Sequence, residues 1–300
     1  MFNPYDIGQV KFSKLREIGH DEKNSSAFVA QDHQLGAEIV IKQLAKHALV
    51  SPENYFDESR SLYASAHPNV VQVFYACEDS DSVFIAMPYY ARGSLKSLIT
   101  DAHISLRQVI TMACQVLSGL HNIHSKGLIH FDIKPDNILF SDRGDALLSD
   151  FGLAKQMVGG VATPNGIYTS IIPPEALAGK TSFDLAYDIY QFGLTLYRMC
   201  NGANSFNEQW KGYSASGAFD RDKFIADVKG GLFPDRTAFS AHVPARLKTV
   251  GDFERLIVTT RNNQPIRLAQ VADVIDGPQE LETLALLNGH RTLALEVLKA

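Results

Sequence analysis

The stretch His130-Phe131-Asp132-Ile133-Lys134-Pro135-Asp136-Asn137, followed thirteen residues after Asn137 by Asp150-Phe151-Gly152, decides how the rest of this chain is read. It gathers carboxylates, an amide and an ammonium into one short span. Taken singly, each Asp or Asn here is the kind of loop residue that caps a helix or a turn. Taken together, they offer a proton acceptor, hard oxygen ligands and a cation at one place.

On the N-terminal side the alternation of Ile39 and Ile41 against Val40 and Lys42 has the period of a strand, which puts Lys42 on the face of Val40. Ser51-Pro52-Glu53 reads as a helix start, because Ser caps, Pro fits the first turn and an acid complements the positive end. Helical spacing then aligns Tyr55, Glu58, Leu62 and Ala66. The apolar runs 70–77 and 83–88 flank a polar turn, Glu78-Asp79-Ser80-Asp81, and predict a hairpin. Beyond Gly93 the spacing turns helical at about 94–100 and 105–125, with short strands near Ile138–Phe140 and Ala146–Ser149. The remainder reads as helical, apart from a Ser-, Gly- and Asn-rich segment, 204–219, that predicts a surface loop.

A chain of 300 residues with 45% hydrophobic and 20% charged residues has enough apolar material for a large core, which excludes a disordered or fibrous protein. A net charge of -5 supplies no general attraction to nucleic acid or anionic lipid, so neither is expected as a partner. The three cysteines, Cys77, Cys114 and Cys200, lie far apart among apolar neighbours and predict buried free thiols. No stretch has the 18 apolar residues of a membrane span, and Met1–Lys14 does not read as a secretory signal. The expectation is a cytoplasmic location.

With these residues in view, the chain resembles the protein kinase family over about residues 12–275. The resemblance implies an α+β, two-lobed fold. Residues 1–87 would form a small β-rich lobe and 88–92 a hinge; 93–277 would form a mainly helical lobe, followed by a helical extension over 278–300. It further implies transfer of the ATP γ-phosphate to Ser or Thr of a protein substrate, with Mg²⁺ or alternatively Mn²⁺. Asp132 would be the catalytic base, Lys134 would contact the transferred phosphate, and Asn137 and Asp150 would hold the metal. Phosphoryl transfer needs these groups, since it depends on positioning a hydroxyl and neutralising phosphate charge.

By the same resemblance Lys42 grips the α and β phosphates and Glu58 is its helix partner, in register with Leu62 and His67-Pro68-Asn69. The nucleotide would meet Gly19, Ala27, Val40, Lys42, Met87, Pro88, Tyr90 and Leu139, with Met87 as gatekeeper. Pro88 lacks an N–H but keeps its carbonyl, the group asked for at the first hinge position. Asp188 would brace the catalytic loop, and Glu175 would pair with Arg267 or its rival Arg261.

The chain departs from the family pattern at three places. After Ile18-Gly19 it reads His-Asp-Glu-Lys-Asn-Ser-Ser-Ala27, without the further glycines that let backbone approach phosphates. That loop keeps a second reading open, a pseudokinase scaffold with weak or no turnover. Phe131 stands where many kinases have an arginine that reads a phosphate on the activation segment. The Thr that precedes the segment-ending Glu by seven residues is Tyr168 here, with Thr169 as a stand-in. The leucines of 278–300 have helical spacing, to be covered by the large lobe, a partner or a second copy.

Overall fold

The computed structural model describes residues 10–18, 25–49, 56–101, 104–166, 168–215 and 217–235, together with the backbone of strands at 257–261, 264–267, 286–287 and 290–291. The chain divides into two compact units, Met1–Ala91 and Arg92–Ala300.

The first unit is a five-stranded antiparallel sheet in the order β1-β2-β3-β5-β4, formed by β1 (Phe12–Glu17), β2 (Ser25–Asp32), β3 (Ala37–Ala45), β4 (Tyr75–Glu78) and β5 (Ser82–Pro88). Period-two alternation gives the sheet two distinct faces. Phe28, Ala30, Ile39, Ile41 and Ala86 form a dry cluster on one, with Phe12, Tyr75 and Phe84 against it. On the other, Val40 lies opposite Val29 and Met87, and Lys42 lies opposite Ala27 and Ile85. The β2–β3 turn is set by Asp32, whose Oδ1 accepts the N–H groups of Gln34 and Leu35, and by Gly36 at φ +68°. Asp79 does the same in the β4–β5 hairpin, accepting from Asp81 and Ser82. That hairpin starts at Tyr75; Val70 and Val71 ahead of it are buried. Helix α1 (Asp57–Ala64) buries Ser59 and Leu62 and ends before Ala66. The expected helix start at 51–53 and the loop 19–24, Gly19 included, lie outside the described residues.

The second unit begins with α2 (Leu95–Asp101) and α3 (Leu106–Ser125). A reciprocal cap between Ser105 and Gln108 starts α3, whose apolar stripe from Val109 to Ile123 is buried. Two short ladders follow: β6 (Leu128–Ile129) pairs with β9 (Lys155–Gln156), and β7 (Ile138–Phe140) with β8 (Ala146–Leu148). Then come α4 (Pro174–Leu177), α5 (Ala186–Gly212) and α6 (Arg221–Lys229).

Two expectations are corrected here. The segment 204–219 is not a loop throughout: α5 continues to Gly212, broken only at Gly202 with φ +77°. Phe206 is buried there and Trp210, four residues on, packs against the same aromatic cluster of Tyr190, Tyr197, Tyr213, Phe224 and Phe233. This tertiary anchor overrides the loop-like composition. Beyond residue 235 the described backbone is extended rather than helical. There β10 (Ile257–Arg261) pairs with β11 (Gln264–Arg267), and β12 (Leu286–Leu287) with β13 (His290–Arg291). The sequence between the last pair is Asn288-Gly289, the dipeptide that most favours a two-residue hairpin. The rest of 278–300 lies outside the described residues.

The cysteines are unpaired but half-buried. Burial raises all three thiols, Cys200 to about 11. Among the described residues no helix is long and apolar enough to cross a membrane.

Candidate active site

The loop from His130 to Asn137 is hung on α5 by three polar side chains on one face of the helix. Asp188 Oδ2 accepts the N–H of His130 and the Nε2–H of His124, and its Oδ1 accepts the N–H of Phe131, all at 2.8 Å. Gln191 accepts the N–H of Ile133 at 2.8 Å and donates to the carbonyl of Phe131 at 3.0 Å. Thr195 donates to the carbonyl of Ile133 at 3.4 Å. Phe131 holds φ +65°, a conformation that costs a residue with a Cβ about 1–3 kcal/mol and persists only under such restraint. His130 is buried, donates from Nε2 to the carbonyl of Ser149 and accepts the Asp132 N–H at Nδ1.

Asp132 is the centre of what this scaffold presents. Its side chain is 3% exposed. Oδ2 accepts from Asn137 Nδ2 at 2.7 Å and from Lys134 Nζ at 2.9 Å, while Oδ1 is buried with no hydrogen-bond partner among the described residues. Burial pushes the carboxyl above the usual carboxylate range, against the pull of Lys134, and the charge of Asp150 adds to the rise. Asp150 follows β8 at φ +60° and is half-buried. Next to it Phe151 is buried edge-on against His130, with ring centroids 4.8 Å apart. Ser149 ties the two stretches together, donating from both N–H and Oγ to the carbonyl of Asn137.

In the first unit Lys42 Nζ lies 2.8 Å from Glu58 Oε1, with side chains 12% and 9% exposed. Ala27, Val40 and Met87 share the sheet face of Lys42, and Pro88 ends β5 opposite Ile39. Tyr90 is half-buried just past that strand. Leu139 belongs to the second unit, paired with Leu147 and bridged to Ser94. Burial raises the Glu175 carboxyl, but the side chains of Arg261 and Arg267 lie outside the described residues.

The structure therefore joins Asp132, Lys134 and Asn137 in direct contact and joins Lys42 to Glu58. Sequence reasoning missed His124, Gln191 and Thr195 as supports. Polar residues at positions 188, 191 and 195 in the otherwise apolar and aromatic stretch 186–197 of the helix were the available signal. It also placed Thr169, not Tyr168, beside the catalytic loop. Thr169 is exposed, and the Tyr168 ring is the group that meets Lys134.

A family model described as protein kinase domain matches residues 12–243. The chain belongs to the protein kinase family. The kinase is 29% identical over 233 residues to a Bifidobacterium longum protein named "Probable serine/threonine-protein kinase pknA2", covering 74% of this chain and 31% of that one. It is 30% identical over 204 residues to cAMP-dependent protein kinase type 3 of Saccharomyces cerevisiae, covering 65% and 49%. It is 28% identical over 215 residues to serine/threonine-protein kinase PknK of Mycobacterium bovis, covering 69% and 19%. The matched region thus spans less than half of each of these relatives.

Kinases of this family use ATP with Mg²⁺. The side chains present fit that pair by their donor chemistry. The Asn137 amide nitrogen is committed to Asp132, which leaves its carbonyl oxygen, together with the Asp150 carboxylate, as the hard ligands available. Mg²⁺ takes one or two carboxylates and completes its shell with phosphate oxygens and water.

Proposed function

We propose that this kinase transfers the γ-phosphate of ATP to a Ser or Thr hydroxyl of a protein substrate, with Asp132 as the base. The observation that carries this reading is the division of labour on the Asp132 carboxylate. Two donors hold Oδ2, and Oδ1 is a buried acceptor without a hydrogen-bond partner among the described residues. A buried orphan acceptor costs about 1–3 kcal/mol, which a substrate hydroxyl would recover by donating to Oδ1 once the carboxylate turns to expose it.

In the reaction the hydroxyl oxygen forms a bond to the γ-phosphorus and its proton passes to Asp132. The bond from the γ-phosphorus to the bridging oxygen breaks, and ADP keeps that electron pair. The raised proton affinity of Asp132 suits it to accept the proton as the new bond forms. Lys134 carries positive charge to the moving phosphoryl oxygens. When bound, Mg²⁺ on Asn137 and Asp150 neutralises phosphate charge, and Lys42, oriented by Glu58, is the cation for the α and β phosphates. Ser/Thr selectivity is supported by Lys134 two residues after the base and by the similarity to proteins named as serine/threonine-protein kinases.

The test is incubation of the purified chain with labelled ATP, Mg²⁺ and a generic protein substrate. The expected result is label on Ser and Thr that disappears with Asp132→Asn, with Asp150→Asn and on chelation of the metal. Thermal stabilisation by nucleotide without any label would favour the scaffold reading instead.

A further inference from the structure

We propose that Tyr168 is a positioning residue for the catalytic ammonium, its ring face holding Lys134 Nζ against Asp132. The inference rests on Lys134 serving phosphoryl transfer as just proposed. Lys134 Nζ lies 3.8 Å from the Tyr168 ring centroid and 2.9 Å from Asp132 Oδ2, so the ammonium is held between a carboxylate and an aromatic face. A lysine stem has four rotatable bonds and little reason to keep one conformation alone. Two attractions from different sides restrict it, and its side chain is only 20% exposed.

The ring is itself anchored. Tyr168 caps the short helical turn Thr169–Ile171, its carbonyl accepts the N–H of Ile171, and its side chain packs on the cluster containing buried Ile171, Tyr190 and Leu194. The position seven residues before Glu175 is therefore filled by an aromatic wall rather than a hydroxyl arm. The difference is chemical. A hydroxyl oxygen would consume one of the three N–H donors of the ammonium, in a fixed direction. A ring face attracts the charge through its quadrupole and tolerates small displacements, so Nζ keeps donors for a phosphoryl oxygen and can follow it as the bond changes hands.

The experiment compares wild type with Tyr168→Leu and Tyr168→Phe, each also in a Lys134→Ala background. Tyr168→Leu is expected to lower kcat about tenfold with KM for ATP unchanged, and Tyr168→Phe, which keeps the ring, to recover most of that loss. In the Lys134→Ala background Tyr168→Leu should add nothing, because the two residues act as one unit. Unchanged kcat in Tyr168→Leu overturns the proposal. So does an equal loss in Tyr168→Phe, or the same further loss without Lys134.

A second readout does not need turnover. After reductive ¹³C-methylation of lysines, the Lys134 methyl signal, assigned with Lys134→Arg, should sit upfield in wild type and Tyr168→Phe and move to the ordinary lysine position in Tyr168→Leu. If wild type shows that shift yet transfers no phosphate, the contact stands and the activity reading fails. An ordinary methyl position in wild type overturns the contact.

Discussion

Asp188 Oδ1 accepts the backbone N–H of Phe131 at 2.8 Å, at one of the two non-glycine residues that hold positive φ among those described. The restraint sits on the residue directly before Asp132, so the conformation of the loop from His130 to Asn137 depends on a buried carboxylate of α5. Asp188→Asn swaps one acceptor for an amide donor facing N–H groups. It should destabilise the protein by about 2–4 kcal/mol in urea unfolding and lower turnover as well. Wild-type stability and turnover in the variant would show that the loop keeps its shape without this anchor.

Asp132 gives a stability effect of opposite sign to its effect on activity. The folded state holds the Asp132 proton to higher pH than the unfolded chain does, because burial disfavours the charge. Between the ordinary carboxylate range and the raised value, the native form binds more protons than the unfolded form. Its contribution to stability therefore falls as pH rises through that window and stays low above it. Asp132→Asn should unfold at the wild-type temperature or higher at pH 7, the difference narrowing in acid, while turnover drops by about 10² to 10⁴. A lower melting temperature at pH 7 would mean that the bonds to Lys134 and Asn137 outweigh the burial cost.

Substrate choice is addressed by Lys96, whose Nζ lies 2.5 Å from Asp136 Oδ1. Asp136 is the acid beside Asn137 that could otherwise attract a basic residue of the substrate, and Arg92 and Lys96 flank Ser94. A degenerate peptide array should therefore show no dominant preference for Arg three residues upstream of the acceptor. Lys96→Ala should introduce a measurable basic preference there, with stability changed by under about 1 kcal/mol because the pair is exposed. A dominant upstream Arg with wild-type kinase would refute this.

The loop from His130 to Asn137 was legible because its chemistry depends on fixed residue types at fixed spacing, and β3 because Ile39 and Ile41 alternate with Val40 and Lys42. The second half of α5 was not. Ser, Gly and Asn are frequent in its local composition, and the packing of Phe206 and Trp210 against distant Phe224 and Phe233 makes it helical. Gln191 and Thr195 were invisible as supports for a related reason. A polar residue on a helix reads as solvated until the loop it bonds is in place. Tyr168 is the sharpest case, since nothing in its neighbours says whether its ring or the hydroxyl of Thr169 meets Lys134.

Activation follows from what replaces the missing arginine. The Phe131 ring lies 4.9 Å from that of Tyr187 and 6.3 Å from that of Phe183, edge to face, with Leu153, Met157 and Ala162 of the activation segment against the same cluster. Backbone bonds hold the segment too: the N–H of Met157 reaches the carbonyl of Gly127 at 2.7 Å, and Ala162 and Phe183 exchange two bonds of 2.8 Å. Thr163 Oγ1 and Ser182 Oγ lie 2.9 Å apart. These apolar and backbone contacts order the segment without a phosphate, and a phosphate near Phe131 would meet a dry aromatic surface rather than a guanidinium. Phosphatase treatment should accordingly lower basal activity less than about tenfold, one step of 1.4 kcal/mol. Thr163→Ala and Ser170→Ala should likewise remain within that range. Phe131→Ala should instead cost about 3–5 kcal/mol of stability by emptying the cluster, and Phe131→Arg should cost as much by burying an unpaired charge. Activity that depends a hundredfold on phosphate would show that another cation, with Lys155 and Arg143 the first to test, reads the segment in place of the arginine.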